Sequence, residues 1–324
     1  MTPGAGGAIQ AHAAFWTANM DLIVANQNGK LLERINYDAA TDTFTHDTDA
    51  TLNLATCTTP SNNPCQSSTP LSDTDPAYWG PNNRPDNAPI CPVISERGLA
   101  FVTLRGGGLF VVDVTATPMH LVAAYGNQYV GRDGCGGAQD KKNMYLNGGA
   151  GTVATNVAEF TLYHLRDQFP HAPATLPDNN ADLMPKVFFQ DTASGRDAHG
   201  MVLTAGKIRY LWQFDRIANV AEVFRLPSKQ HVATIPLAGP VSSDPTPDLG
   251  SLSPRGDRIY VALRGPRPQT GAHASVGNSP GLGIIALSSG GASGSLIHVL
   301  ATSFLSPVDN SEESDPHAAL VRLK

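Results

Sequence analysis

Four short β-rich segments recur in one order along this chain at a spacing of about 50 residues, a period that belongs to propellers and related arrays. The clearest unit follows His199 as GMVLT, IRYLWQFD, NVAEVFRL and HVATIPLAG, separated by Gly, Asp-Arg and Pro-Ser-Lys turns. A second unit starts near Asp248 with LGSLS, DRIYVALRG, GLGIIAL and LIHVLATSFL. The order returns near Cys91 as PVISE, LAFVTLRGG, LFVVDV and HLVAAYG, and near His12 as AAFW, DLIVANQ, KLLERINYD and the poorer FTHDT. A degraded copy starting near residue 147 runs through MYLNGGAGTV, EFTLYHL and KVFFQD, and a further start stands at Asp315-Pro-His317.

β-branched residues alternate within these segments, and few windows carry the i, i+3, i+4, i+7 apolar spacing of a helix. The expectation is an all-β chain in which residues 1–324 form a single β-propeller domain of four-stranded antiparallel blades. Insertions fall at about 48–88 and 267–280. Six or seven blades are expected, although little sequence precedes His12 to complete the last one. Missing N-terminal strands, blades hidden in the degraded region and irregular closure are the open alternatives.

Gly (31) and Pro (25) are abundant, as frequent turns require, while charged residues make up only 15%. A net charge of −6 supplies no basic stripe for a phosphate backbone, so nucleic acid is not an expected partner. No apolar run reaches the roughly 18 residues of a membrane span, and MTPGAGG lacks the regions of a signal peptide. Cys57, Cys65, Cys91 and Cys135 lie in turn-like contexts without a CxxC, which reads as disulfides and a secreted or periplasmic location, free cytosolic thiols being the alternative. Of the three pairings, Cys57–Cys65 is favoured because its Pro/Asn loop brings the ends together, leaving Cys91–Cys135.

The segments DLIVANQNGKLLERINYD and SPRGDRIYVALRGPRP resemble the repeats of the YVTN family of seven-bladed β-propellers, over about two-thirds of the chain. That resemblance implies the fold. It leaves activity open, because the same architecture serves lactonases, surface-layer proteins and metal enzymes.

Three histidines open their repeats alike, in Gln10-Ala-His12, Asp197-Ala-His199 and Asp315-Pro-His317. If the segment after each is the innermost strand, the imidazoles converge on one rim of the channel and suit Cu, Fe or Zn with an open position. The preceding Asp in two copies would orient a ring. A structural histidine per blade, hydrogen-bonded to a neighbouring turn, or metal-free acid–base use explains the same pattern. Cys91 occupies a similar place in its repeat.

A second equivalence lies at the end of the second strand, at Gln27, Arg105, Asp215 and Arg264, where two guanidiniums could clamp a carboxylate or phosphate of a ligand. Inter-blade ion pairs such as Arg264 with Asp215 are the structural alternative. Lesser candidates are an oxygen-rich loop at Asp73, Asp75 and Asp86, the loop residue His273, His164 and His171 in an irregular loop, and the aromatics Tyr78, Trp79 and Trp212. Trp212, in a strand, reads as core.

The functional expectation is a secreted or periplasmic binding or scaffold module that presents its channel mouth to a small molecule or a protein. The competing class is an enzyme, either a metal-dependent oxidoreductase on His12, His199 and His317 or a lactonase-like hydrolase.

Overall fold

The computed structural model describes residues 10–60, 62–66, 84, 86–149, 160–171, 183–193, 195–267 and 276–321. The expected sites at Asp73, Asp75, Tyr78, Trp79 and His273 lie outside them. The chain is an all-β propeller with four-stranded antiparallel blades, five of them among the described residues. Blade 1 comprises β1 (Ala11–Trp16), β2 (Leu22–Asn26), β3 (Leu31–Asp38) and β4 (Thr43–Asn53). Blade 2 comprises β5 (Pro89–Ile94), β6 (Leu99–Leu104), β7 (Leu109–Asp113) and β8 (His120–Tyr125). Blade 3 is built of β9 (Gly137–Asp140), β10 (Asn143–Gly148), β11 (Phe160–Arg166) and β12 (Lys186–Asp191). In blade 4, β13 (Ala198–Leu203), β14 (Arg209–Asp215), β15 (Val220–Leu226) and β16 (Gln230–Pro236) follow in order. Blade 5 has β17 (Pro247–Leu252), β18 (Arg258–Leu263), β19 (Gly281–Ser288) and β20 (Ser293–Ala301).

Two expectations are corrected here. Five blades stand where six or seven were expected, because the start at Asp315 yields a single parallel bridge, Leu249 with Ala318, and no blade of its own among the described residues. In the degraded copy NMYLNG is the second strand; the first is the short polar GAQD, whose lack of large apolar residues hides it.

The described residues divide into two compact units, one holding blades 1 and 2, the other blades 4 and 5, with the strands of blade 3 shared between them in sequence. In the first unit, Ile23, Leu32, Val102, Phe110 and Val112 fill the space between blades 1 and 2. In the second, Trp212, Phe214, Val223, Ile259, Val261 and Ile285 form the corresponding core. Trp212 is fully buried, as its strand position led us to expect, and its indole Nε1–H donates to the Gly291 carbonyl at 2.8 Å.

The Cys57–Cys65 disulfide is present, with Cα atoms 5.4 Å apart, and Cys91 and Cys135 are disulfide-bonded as well. Cross-linking so short a loop restricts the unfolded chain modestly, so a Cys57→Ala/Cys65→Ala variant is expected to lose about 2–3 kcal/mol in urea melts. An unchanged midpoint would show that the turn is held by its other contacts.

Candidate functional site

Each of four blades opens on the same irregularity. The pairing of first and second strands slips by one residue between Ala11 and Ala13, Pro89 and Pro92, Ala198 and Met201, and Pro247 and Gly250. A β-bulge of this kind turns a side chain out of the pleat and is common beside active sites. The residue that follows the last regular pair is His12, Ile90, His199 and Asp248 in turn. Cys91, read from sequence as standing at this place, is one position further on.

In the second unit this position creates a cluster. The Nε2 of His199 lies 3.3 Å from Oδ1 of Asp248, and the Nδ1 of His317 lies 3.8 Å from the same oxygen. His317 arrives on residues 315–319, which run parallel to β17 through bonds from Leu249 N–H to the His317 carbonyl (3.3 Å) and from Ala319 N–H to the Leu249 carbonyl (3.2 Å). The two imidazoles meet edge to face, with centroids 5.5 Å apart. His199 and Asp248 are buried, and His317 forms the partly open edge, its side chain 16% exposed.

Glycines let the backbones come this close. A Cβ at Gly200 would run into the carbonyl oxygen of Asp248, and one at Gly265 into that of Ser314. Gly200→Ala is therefore expected to push β17 away from β13, lowering stability by about 1–3 kcal/mol and loosening the cluster. A urea melt with a histidine-resolved NMR spectrum checks this; unaltered histidine resonances would refute it.

The carboxylate of Asp248 is held from behind by two arginines. Its Oδ2 accepts from Arg264 Nη1 at 2.9 Å and from Arg216 Nη1 at 3.3 Å, so Oδ1 is left facing the imidazoles. Each arginine is anchored in turn. Arg264 donates to both oxygens of Asp315, at 2.6 and 2.5 Å, and Arg216 Nε donates to Asp197 at 2.7 Å. Burial alone would raise the pKa of Asp248, but His199, His317, Arg216 and Arg264 together hold it well below the usual carboxylate range. Burial lowers the pKa of His317, with Asp248 opposing it, so His317 is neutral at pH 7 and one of its two ring nitrogens is basic.

The second-strand position also needs a correction of register. Equivalent bonds run from Gln27 N–H to Gln10, Arg105 N–H to Ala88, Arg216 N–H to Asp197 and Arg264 N–H to Thr246. The member from blade 4 is thus Arg216, and Asp215 stands one residue before it. Asp215 is buried and caps its own turn, its Oδ1 accepting from Ile217 N–H and Ala218 N–H, while its Oδ2 takes Arg196. Arg264 is fully buried between Asp248 and Asp315. In the first unit Gln27 is buried in its turn, and Arg105 is half-exposed with Asp86 at 3.9 Å.

Of the three histidines, the structure brings His199 and His317 together with Asp248. His12 belongs to blade 1 in the other unit, with a ring nitrogen within 4.8 Å of the Cys91 sulfur. A disulfide sulfur is not a thiolate ligand. His171 pairs with Asp113 at 2.8 Å and His164 with Asn143 at 3.1 Å, both in the first unit.

No protein-family model matches the chain, and a search of curated proteins finds no relative. Solved structures do share the fold. Virginiamycin B lyase from Staphylococcus aureus superposes with a TM-score of 0.52 at 10% identity, over 97% of this chain and 75% of that one. A candidate 6-phosphogluconolactonase from Bacteroides uniformis gives 0.51 at 15% identity, over 91% and 70%. A luciferin-regenerating enzyme gives 0.50 at 12%, over 91% and 77%. At these identities the likeness is one of fold.

Proposed function

We propose that this propeller is a metal-dependent hydrolase whose divalent ion is held by His199 Nε2, Asp248 Oδ1 and His317 Nδ1. The observation that carries the reading is the donor set: three atoms of metal-binding type, all within 4.8 Å of one another, grouped about a buried carboxylate oxygen. Bond lengths near 2.0–2.2 Å require donors about 3–3.5 Å apart, and modest closure of this group reaches that spacing. Three protein ligands leave coordination positions for water and a substrate carbonyl, the arrangement of catalytic rather than structural sites.

The buried charges favour this reading over a scaffold. Keeping Asp248 ionised in the interior takes two buried arginines and two further carboxylates, an investment without purpose in a surface used only for docking. Cu, Fe and Zn all accept two imidazoles and a carboxylate. An ester or lactone is the substrate class put forward, in keeping with the candidate lactonase among the fold neighbours. An oxidising compartment fits a chain in which none of the four cysteines is free.

Protein purified without chelator is expected to hold about one transition-metal ion per chain by elemental analysis, and to open chromogenic esters or lactones until chelator removes it. His317→Ala, at the open edge of the cluster, should lose both ion and activity with little loss of fold. Hydrolysis that persists in metal-free protein would overturn the proposal.

A further inference from the structure

The charges around the centre point to the class of its exchangeable ligand. Three carboxylates, on Asp197, Asp248 and Asp315, interlock with two guanidiniums, on Arg216 and Arg264, and leave one negative charge in a buried network. His199 and His317 add none, because an imidazole binds a metal in its neutral form. A divalent ion on Asp248 Oδ1 turns that balance to one positive charge, in surroundings where an uncompensated charge is costly. One monoanion at the ion's open position restores neutrality; a neutral ligand does not, and a dianion overshoots.

We infer that the loaded centre takes a monoanionic oxygen ligand, a carboxylate, as its exchangeable partner. The inference rests on the metal reading above, and it identifies the acid released by ester or lactone cleavage as a ligand of the ion. The arginines take no direct part in holding that carboxylate. Both are committed to aspartates, so the attraction comes from the ion and is adjusted by the network behind it.

The test uses the full chain loaded with cobalt(II), whose visible absorption reports its ligands, titrated with acetate and with acetamide, a neutral molecule of the same shape. Acetate is expected to change the cobalt spectrum with an affinity about tenfold or more above that of acetamide, and to leave metal-free protein unaffected. Asp197→Asn removes one negative charge from the network without touching a proposed ligand. It is expected to bind acetate several-fold more tightly and cobalt more weakly, opposite shifts that mere loosening of the fold does not produce; Asp315→Asn serves where that variant does not fold. Equal response to acetate and acetamide, or acetate binding without cobalt, overturns the inference and leaves the metal reading standing. Failure to take up cobalt at all overturns both.

Discussion

An Asp248→Asn chain is expected to bind its divalent ion about a hundredfold more weakly, or not at all, while keeping the propeller fold. The amide retains the size of the side chain and an oxygen that can accept from Arg264 and Arg216, so the packing between β13 and β17 has no reason to collapse. What it loses is the negative charge and the second anionic oxygen that faces His199 at 3.3 Å and His317 at 3.8 Å. Removing partners that merely orient metal ligands costs 10- to 100-fold in affinity, so removing a ligand that also supplies the local charge sets that range as a lower bound. Competition against a chromophoric chelator, with far-ultraviolet circular dichroism as a control for folding, makes the measurement. Unchanged affinity in a folded Asp248→Asn chain would remove the carboxylate from the ligand set.

Blades 1, 2, 4 and 5 were legible because most of their inner strands are short runs rich in apolar and β-branched residues between strong turns, and near-continuous apolar runs such as LAFVTL are what a sheet packed on both faces requires. Blade 3 was displaced by one strand, since GAQD carries no alternation and is recognisable only by its pairing with β10. Of the three side chains in the candidate cluster, two stand out in the sequence. His199 and His317 appear as matched histidines because repeat ancestry keeps them in register, yet Asp248 stands at the same place before LGSLS as His199 does before GMVLT. A search for identical residues passes over a carboxylate, whereas a search by ligand class finds it. Arg216 was missed for a different reason. The segment WQFD ends one residue before the place that Arg264 takes in VALR, Asp215 pairing with Ala198 as Leu263 does with Pro247, and the shared backbone bond to the preceding strand fixes the equivalence. His12, for its part, matches in motif and belongs to blade 1 in the other unit, where a ring nitrogen lies within 4.8 Å of the Cys91 sulfur.

Arg264→Met is expected to be the most destabilising substitution at this centre, costing about 3–5 kcal/mol, because it deletes one of the two positive members of a buried network and keeps all three negative ones. Asp315 would lose both of its short contacts with the guanidinium, and Asp248 would retain only the longer one, from Arg216 at 3.3 Å. Methionine fills much of the volume, so the loss reports charge and hydrogen bonding rather than a cavity. Against a total stability of roughly 5–15 kcal/mol, such a loss moves the urea midpoint by a large fraction of its value. Arg264→Lys keeps the charge but not the fork that spans two oxygens of Asp315, and should fall between the two. Adding Asp315→Asn to Arg264→Met removes one stranded carboxylate and should restore part of the stability, a recovery that a purely steric effect would not show. A loss below about 1 kcal/mol for Arg264→Met would mean that water reaches these carboxylates freely, and that the centre is far less enclosed than its burial indicates.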